Sequence, residues 1–152
     1  MTRAIEAAEA LGLAHQVTRH GRVNSLAEAA AARGIEPAEL IKTIVVRLAD
    51  DDYRFVLVPG DREIAWPKLR TVLGVKRMSM PDAATALAVT GYVRGTITPL
   101  GSTNAWPVIA DERITGTISI GGGDHGVGLT VDAKELADAL NATTADVTDP
   151  QA

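Results

Sequence analysis

The sequence predicts a mixed α/β (α+β) fold, a mixed β-sheet surrounded by helices. Strand-like and helix-like segments are interleaved without the strict β-α-β alternation of a Rossmann sheet, which favours a mixed sheet. Two β-branched runs, 41–48 and 53–58, flank the polar turn Asp50-Asp51-Asp52 and read as a hairpin. Two segments, Ser25-Leu26-Ala27-Glu28 and Asp132-Ala133-Lys134-Glu135, are capping boxes that open helices.

The elements follow in order. Ile5, Ala8 and Leu11 recur at helical spacing, so residues 4–11 predict a helix stopped by Gly12. An extended stretch is expected over 14–18. The helix opened at Ser25 is Ala-rich and stops at Gly34. Pro37 suits the first position of a short third helix. The hairpin over 41–58 closes on Pro59-Gly60-Asp61. Helices are expected over 67–73 and 81–88, with a short strand over 75–78 between them. Later strands fall over 108–110, 117–120 and 127–131. The helix opened at Asp132 ends near Leu140, with Asn141 as its left-handed stop.

Composition narrows the function. The chain has 152 residues, room for one core, so a single domain is expected over 1–152, ordered over about 2–148 with a frayed end after Thr148. Aromatics are 3%, so the core must come from Ala, Val, Ile and Leu. No apolar run has the length of a membrane span, and Glu6 and Glu9 interrupt what a signal peptide would keep apolar, so a cytoplasmic protein without a membrane partner is expected. Cysteine is absent, which excludes disulfides, Cys-based zinc sites and a Cys nucleophile. His15, His20 and His125 show no metal spacing, so no metal and no cofactor is expected. Ser119 lies in no G-x-S-x-G elbow, and there is no P-loop. The net charge of −4 argues against general nucleic-acid binding, though not against a grip on one end of a tRNA.

Three features carry possible chemistry. Strand alternation places Lys42 on an apolar face with Ile44, Val46 and Leu48. It is either a snorkelling strand-end lysine or a cation at a pocket rim, suited to a phosphate or a carbonyl oxygen. The segment 91–101 holds Gly91, Gly95, Pro99 and Gly101; it is either a plain connection or a loop whose backbone N–H groups face a ligand. The run Gly121-Gly122-Gly123-Asp124-His125-Gly126 formally contains G-x-G-x-x-G, but a strand follows it rather than a helix. It reads as a hairpin or as a second backbone wall of the same pocket. Arg62, Lys68, Arg70, Lys76 and Arg77 fall in one stretch and read as a solvated face or as contacts to a tRNA backbone.

Ile41-Lys42-Thr43-Ile44-Val45-Val46, then residues 90–101 with Gly95 and Pro99, then Ile118-Ser119-Ile120-Gly121-Gly122-Gly123 resemble, in order and spacing, the YbaK/EbsC family of aminoacyl-tRNA deacylases. The resemblance covers about residues 2–148. It implies a partly barrel-like mixed sheet, the fold of prolyl-tRNA synthetase-associated editing domains. It also implies hydrolysis of mischarged tRNA, with Cys-tRNA(Pro) as the expected substrate and Ala-tRNA(Pro) as the alternative. A non-catalytic module that binds tRNA or a synthetase is the rival from another class. The implied partners are the acceptor end of tRNA and prolyl-tRNA synthetase. Lys42 corresponds to the family's essential lysine, and 95–99 to its substrate-facing loop. The expected catalytic set is Lys42, Gly95 and Gly101. The expected substrate-binding set is Thr43, Tyr92, Thr98, Pro99, Gly121, Gly122 and Gly123. The cysteine-specific members carry a tyrosine in the loop before the lysine strand and a serine opening the glycine turn. This chain has no tyrosine over 18–26 and has Gly121 at the turn.

Overall fold

A computed structural model describes residues 1–151. Its centre is a four-stranded sheet in the order β2-β3-β5-β8, formed by β2 (Ile41–Ala49), β3 (Asp52–Pro59), β5 (Val108–Asp111) and β8 (Thr143–Ala145). β2 and β3 pair antiparallel as a hairpin, whereas β3–β5 and β5–β8 pair parallel, so the sheet is mixed. A second, antiparallel sheet has the order β1-β7-β6, with β1 (Gln16–Arg19), β6 (Thr117–Gly121) and β7 (Val127–Asp132). β4 (Arg62–Ile64) and β9 (Thr148–Pro150) form a separate ribbon.

Both faces of the central sheet are covered, which is why its strands read as nearly continuous apolar runs. Ile41, Val45, Phe55 and Leu57 point to one side and pack with Ile5 and Ala8 of α1 (Arg3–Ala10), with Ile118, Ile120, Leu129 and Val131 of the second sheet, and with Leu136 of α5 (Ala133–Leu140). Val46, Val56 and Val58 point to the other side and pack with Leu69 of α3 (Trp66–Leu73), Ile64, Ile109 and Val147. α2 (Leu26–Ala32) and α4 (Ala83–Thr90) flank the β2 edge.

Local sequence signals explain the helix ends. Ser25 Oγ accepts from Glu28 N at 3.1 Å, and the Asp132 carboxylate accepts from Glu135 N at 3.0 Å, each satisfying a free N–H of the first turn. Asn141 stops α5 with φ at 52°. Pro37 opens a single 3-10 turn, Pro37–Glu39, rather than a full helix. Residues 75–78 form no strand; only Ser79 bridges to Arg47. The chain also stays paired beyond Thr148, where a frayed end was expected. Thr148 is fully buried, and its Oγ1 accepts from Arg62 Nε at 2.7 Å.

The two sheets touch through a parallel bridge between Leu40 and Ser119. They do not close into a barrel. No helix among the described residues is long and apolar enough to cross a membrane.

Candidate functional site

Beyond the Leu40–Ser119 joint the two sheets diverge, and the split is a cleft of about 840 Å³. Its floor is the free edge of β2, from Ile41 to Val45. Its walls come from α2, from 80–83 ahead of α4, from 94–97 and from Gly121.

The cleft exposes backbone as well as side chains. Arg47 exchanges two backbone hydrogen bonds with Ser79, so its N–H and C=O point away from β3. Ladder alternation then turns the N–H and C=O of Thr43 and Val45 the same way, toward the cleft. On the opposite wall Gly122 N donates to Val127 O in the hairpin. The neighbouring Gly121 therefore aims its N–H away from β7, toward the split. Two strand edges thus face one another with unspent polar groups between them.

Lys42 shares its face with Ile44, Val46 and Leu48, and its Nζ donates to the Arg62 carbonyl oxygen. Burial lowers its pKa below the ordinary lysine range, while the nearby Glu63 and Asp61 carboxylates pull the other way. Thr43 Oγ1 is buried without a hydrogen-bond partner. A buried hydroxyl left unpaired costs about 1–3 kcal/mol.

The structure brings Lys42, Thr43, Gly95 and Gly121 together around the cleft. The other residues expected at the site lie outside it, where the 91–101 loop packs on α1. Buried Tyr92 donates from its hydroxyl to Leu100 O at 2.6 Å, and Arg3 stacks 4.7 Å over its ring. Thr98 is fully buried and accepts from Leu100 N at 3.3 Å. Pro99 O accepts from Ser102 N at 3.4 Å, and Gly101 O accepts from Arg3 Nε at 3.1 Å. Gly122 O accepts from Thr2 Oγ1 at 2.5 Å, and Gly123 abuts Ala4 and Tyr92.

Three charged cleft residues stand outside the site expected from sequence: Arg33, Asp82 and Arg94. Arg33 follows the last turn of α2, where a basic residue is ordinarily explained by the helix dipole, so nothing in the pattern separated it from a cap. Asp82 is the N-cap of α4. Its carboxylate accepts from Thr85 N at 2.8 Å, and that bond holds its pKa below the usual carboxylate range. Of the basic stretch, Lys68 pairs with Asp146 and Asp149, away from the cleft.

A family model described as "Aminoacyl-tRNA editing domain" matches residues 20–139. The chain is 32% identical over 84 residues to a proline–tRNA ligase of Lactobacillus gasseri, covering 55% of this chain and 15% of the ligase. It is 26% identical over 117 residues to the "Putative Cys-tRNA(Pro)/Cys-tRNA(Cys) deacylase EbsC" of Enterococcus faecalis, covering 76% of this chain and 71% of that protein. The ligase matches are therefore to a small part of much longer proteins. A crystal structure of a protein described only as hypothetical superimposes with a TM-score of 0.86 at 27% identity, covering 97% of this chain and 99% of that one. With most of its length inside the family model and the fold shared end to end, this chain belongs to the aminoacyl-tRNA editing domain family.

Proposed function

We propose that the chain is a trans-editing deacylase that hydrolyses the ester of mischarged tRNA, with Cys-tRNA(Pro) as substrate. The observation that carries this reading is the cleft itself, which sets Lys42, Gly95 and Gly121 around unspent backbone donors in a chain of the editing family. The similarity to EbsC, which runs over 71% of that protein, supports a deacylase acting in trans and the cysteine assignment.

An aminoacyl ester is intrinsically reactive, so positioning and oxyanion stabilisation suffice without a covalent nucleophile. The acceptor end enters the split. Lys42 holds the phosphate or ribose of the terminal adenosine. The oxygen of a positioned water, or the thiol of a Cys substrate, bonds to the ester carbonyl carbon. The oxyanion takes hydrogen bonds from backbone N–H groups at Gly121 and Gly95. The proton released by the water or thiol passes to the ribose oxygen as its bond to carbon breaks, which frees the tRNA hydroxyl and leaves the amino acid, or by the thiol route its thiolactone, as product. Gly101, Gly122 and Gly123 shape the loop behind this wall.

One observation favours Ala-tRNA(Pro) as a second reading. The 18–26 loop meets the cleft through Val23, Ser25 and Leu26, and Gly121 adds no side chain, so neither position offers the tyrosine or serine of the cysteine-specific members. A panel of Cys-tRNA(Pro), Ala-tRNA(Pro) and correctly charged Pro-tRNA(Pro) tests the assignment. Faster loss of Cys than of Ala, with Pro retained, is expected. A preference for Ala replaces the cysteine reading, and tRNA binding without cleavage of any ester replaces the enzyme with a binding module.

A further inference from the structure

We propose that Arg33 is a phosphate receptor of this cleft, taking the phosphate of the nucleotide that bears the amino acid and leaving the ribose of that nucleotide to Lys42. The proposal rests on the editing reading for the identity of that nucleotide, and on the following geometry for the receptor.

The Arg33 side chain is held in place from three sides. Its Nη1 donates to Ser119 Oγ at 3.0 Å, and Ser119 is buried at the joint between the two sheets. Its Nε donates to His20 Nε2 at 3.3 Å. The other ring nitrogen, Nδ1, lies 2.9 Å from Gly21 O, so one neutral tautomer satisfies both contacts. Beneath the guanidinium lies Gly128 of β7. A Cβ there would stand 2.8 Å from Arg33 Cζ and 2.9 Å from Nε and Nη1, so only glycine lets the fork lie flat on the strand.

Neither partner is a carboxylate. Arg47, Arg54, Lys68 and Arg113 each pair with a carboxylate, but Arg33 forms no ion pair among the described residues. Burial pulls its pKa below the ordinary arginine value. A partly buried cation without a counter-ion costs free energy in the empty protein, and an anion entering the cleft removes that cost. Ser119 and His20 occupy Nη1 and Nε, which leaves Nη2 without a protein partner. A planar guanidinium held this way matches phosphate oxygens, and an esterified amino acid offers no carboxylate to compete for it. Lys42, with Glu63 and Asp61 beside it, is already partly compensated. Arg33 is the stronger anion site of the two.

Calorimetric titration of the full chain with adenosine 5′-monophosphate, adenosine and inorganic phosphate tests this in the wild type, Arg33→Met and Arg33→Lys. Arg33→Met is expected to bind the monophosphate at least about tenfold more weakly and adenosine unchanged, because a charge-assisted pair is lost. Arg33→Lys is expected to fall between, since it keeps the charge and loses the fork. Inorganic phosphate alone is expected to bind more weakly than the nucleotide. In deacylation, Arg33→Met is expected to raise KM and leave kcat nearly unchanged. Equal monophosphate binding by wild type and both variants overturns the proposal. So does parallel loss of adenosine and monophosphate, or a wild type that binds no monophosphate. Wild type that cleaves no mischarged tRNA counts against the editing reading alone, because the titrations still judge Arg33.

Discussion

The ammonium of Lys42 donates to the carbonyl oxygen of Arg62, so the strand-end lysine is tethered to the first residue of β4. The tether keeps Asp61 and Glu63 close to the cation, while the Lys42 residue itself lines the cleft. Burial still dominates and leaves the group less basic than a free lysine.

Activity that needs the Lys42 cation is therefore expected to fall on the alkaline side at a lower pH than an ordinary lysine would set. Glu63→Gln removes one of the charges that support the cation and is expected to move that limb to still lower pH. Rate profiles of the two proteins check this, and an unmoved limb removes Lys42 as the titrating group.

The same shift bears on stability. A lysine whose pKa is lowered on folding holds its proton more tightly in the unfolded chain, so stability rises as pH climbs through the window between the folded and unfolded values. Lys42→Met removes this dependence. Its denaturant midpoint is expected to lie at or above that of wild type near neutral pH, with the gap closing in the alkaline range. A gap that widens with pH contradicts the assigned shift.

Thr43 separates function from folding. Its buried Oγ1 has no partner, so Thr43→Val is expected to leave stability unchanged or raise it by about 1 kcal/mol. If that hydroxyl meets the aminoacyl group, as the family resemblance implies for Thr43, deacylation falls in the same variant. Thermal melting together with single-turnover rates decides, and loss of stability with full activity contradicts the account.

Gly95 and Gly101 are expected to behave differently although both have positive φ, 89° and 72°. At Gly101 a Cβ would stand 2.6 Å from the Arg3 carbonyl oxygen, so Gly101→Ala is expected to cost more than about 2 kcal/mol of stability. At Gly95 the nearest atom is His125 Cε1 at 3.4 Å, so Gly95→Ala costs only the backbone strain of about 1–2 kcal/mol. It places a methyl group at the cleft wall and is expected to depress turnover first. Chemical denaturation and deacylation of both variants test the contrast.

Local signals made much of the fold legible. The hairpin of β2 and β3, the caps at Ser25 and Asp132 and the stop at Asn141 all follow from residues within a few positions of one another. β4 and β9 were missed because three-residue strands carry no periodicity and depend on each other across more than eighty residues. The site divides along the same line. Lys42 was visible as a polar residue on an apolar strand, Thr43 only through the family resemblance, and Gly95 and Gly121 as glycines of punctuated segments. Arg33 was not visible, because what distinguishes it is a contact with Ser119 across 86 positions and a glycine floor on β7. Conversely, Tyr92, Thr98 and Gly101 share the loop motif with Gly95, yet the loop turns Tyr92 and Gly101 against Arg3 of α1 and buries Thr98 beneath its own backbone, an orientation that spacing alone does not encode.

Hydrolysis, as we propose it, depends on the tethered Lys42 cation holding the acceptor end. Deacylation of Cys-tRNA(Pro) and Ala-tRNA(Pro) by wild type and Lys42→Ala, side by side and at matched melting temperature, tests it most directly. The variant is expected to remain folded and to lose activity on the order of a hundredfold or more on whichever ester the wild type cleaves. A folded Lys42→Ala that keeps most of the wild-type rate contradicts it.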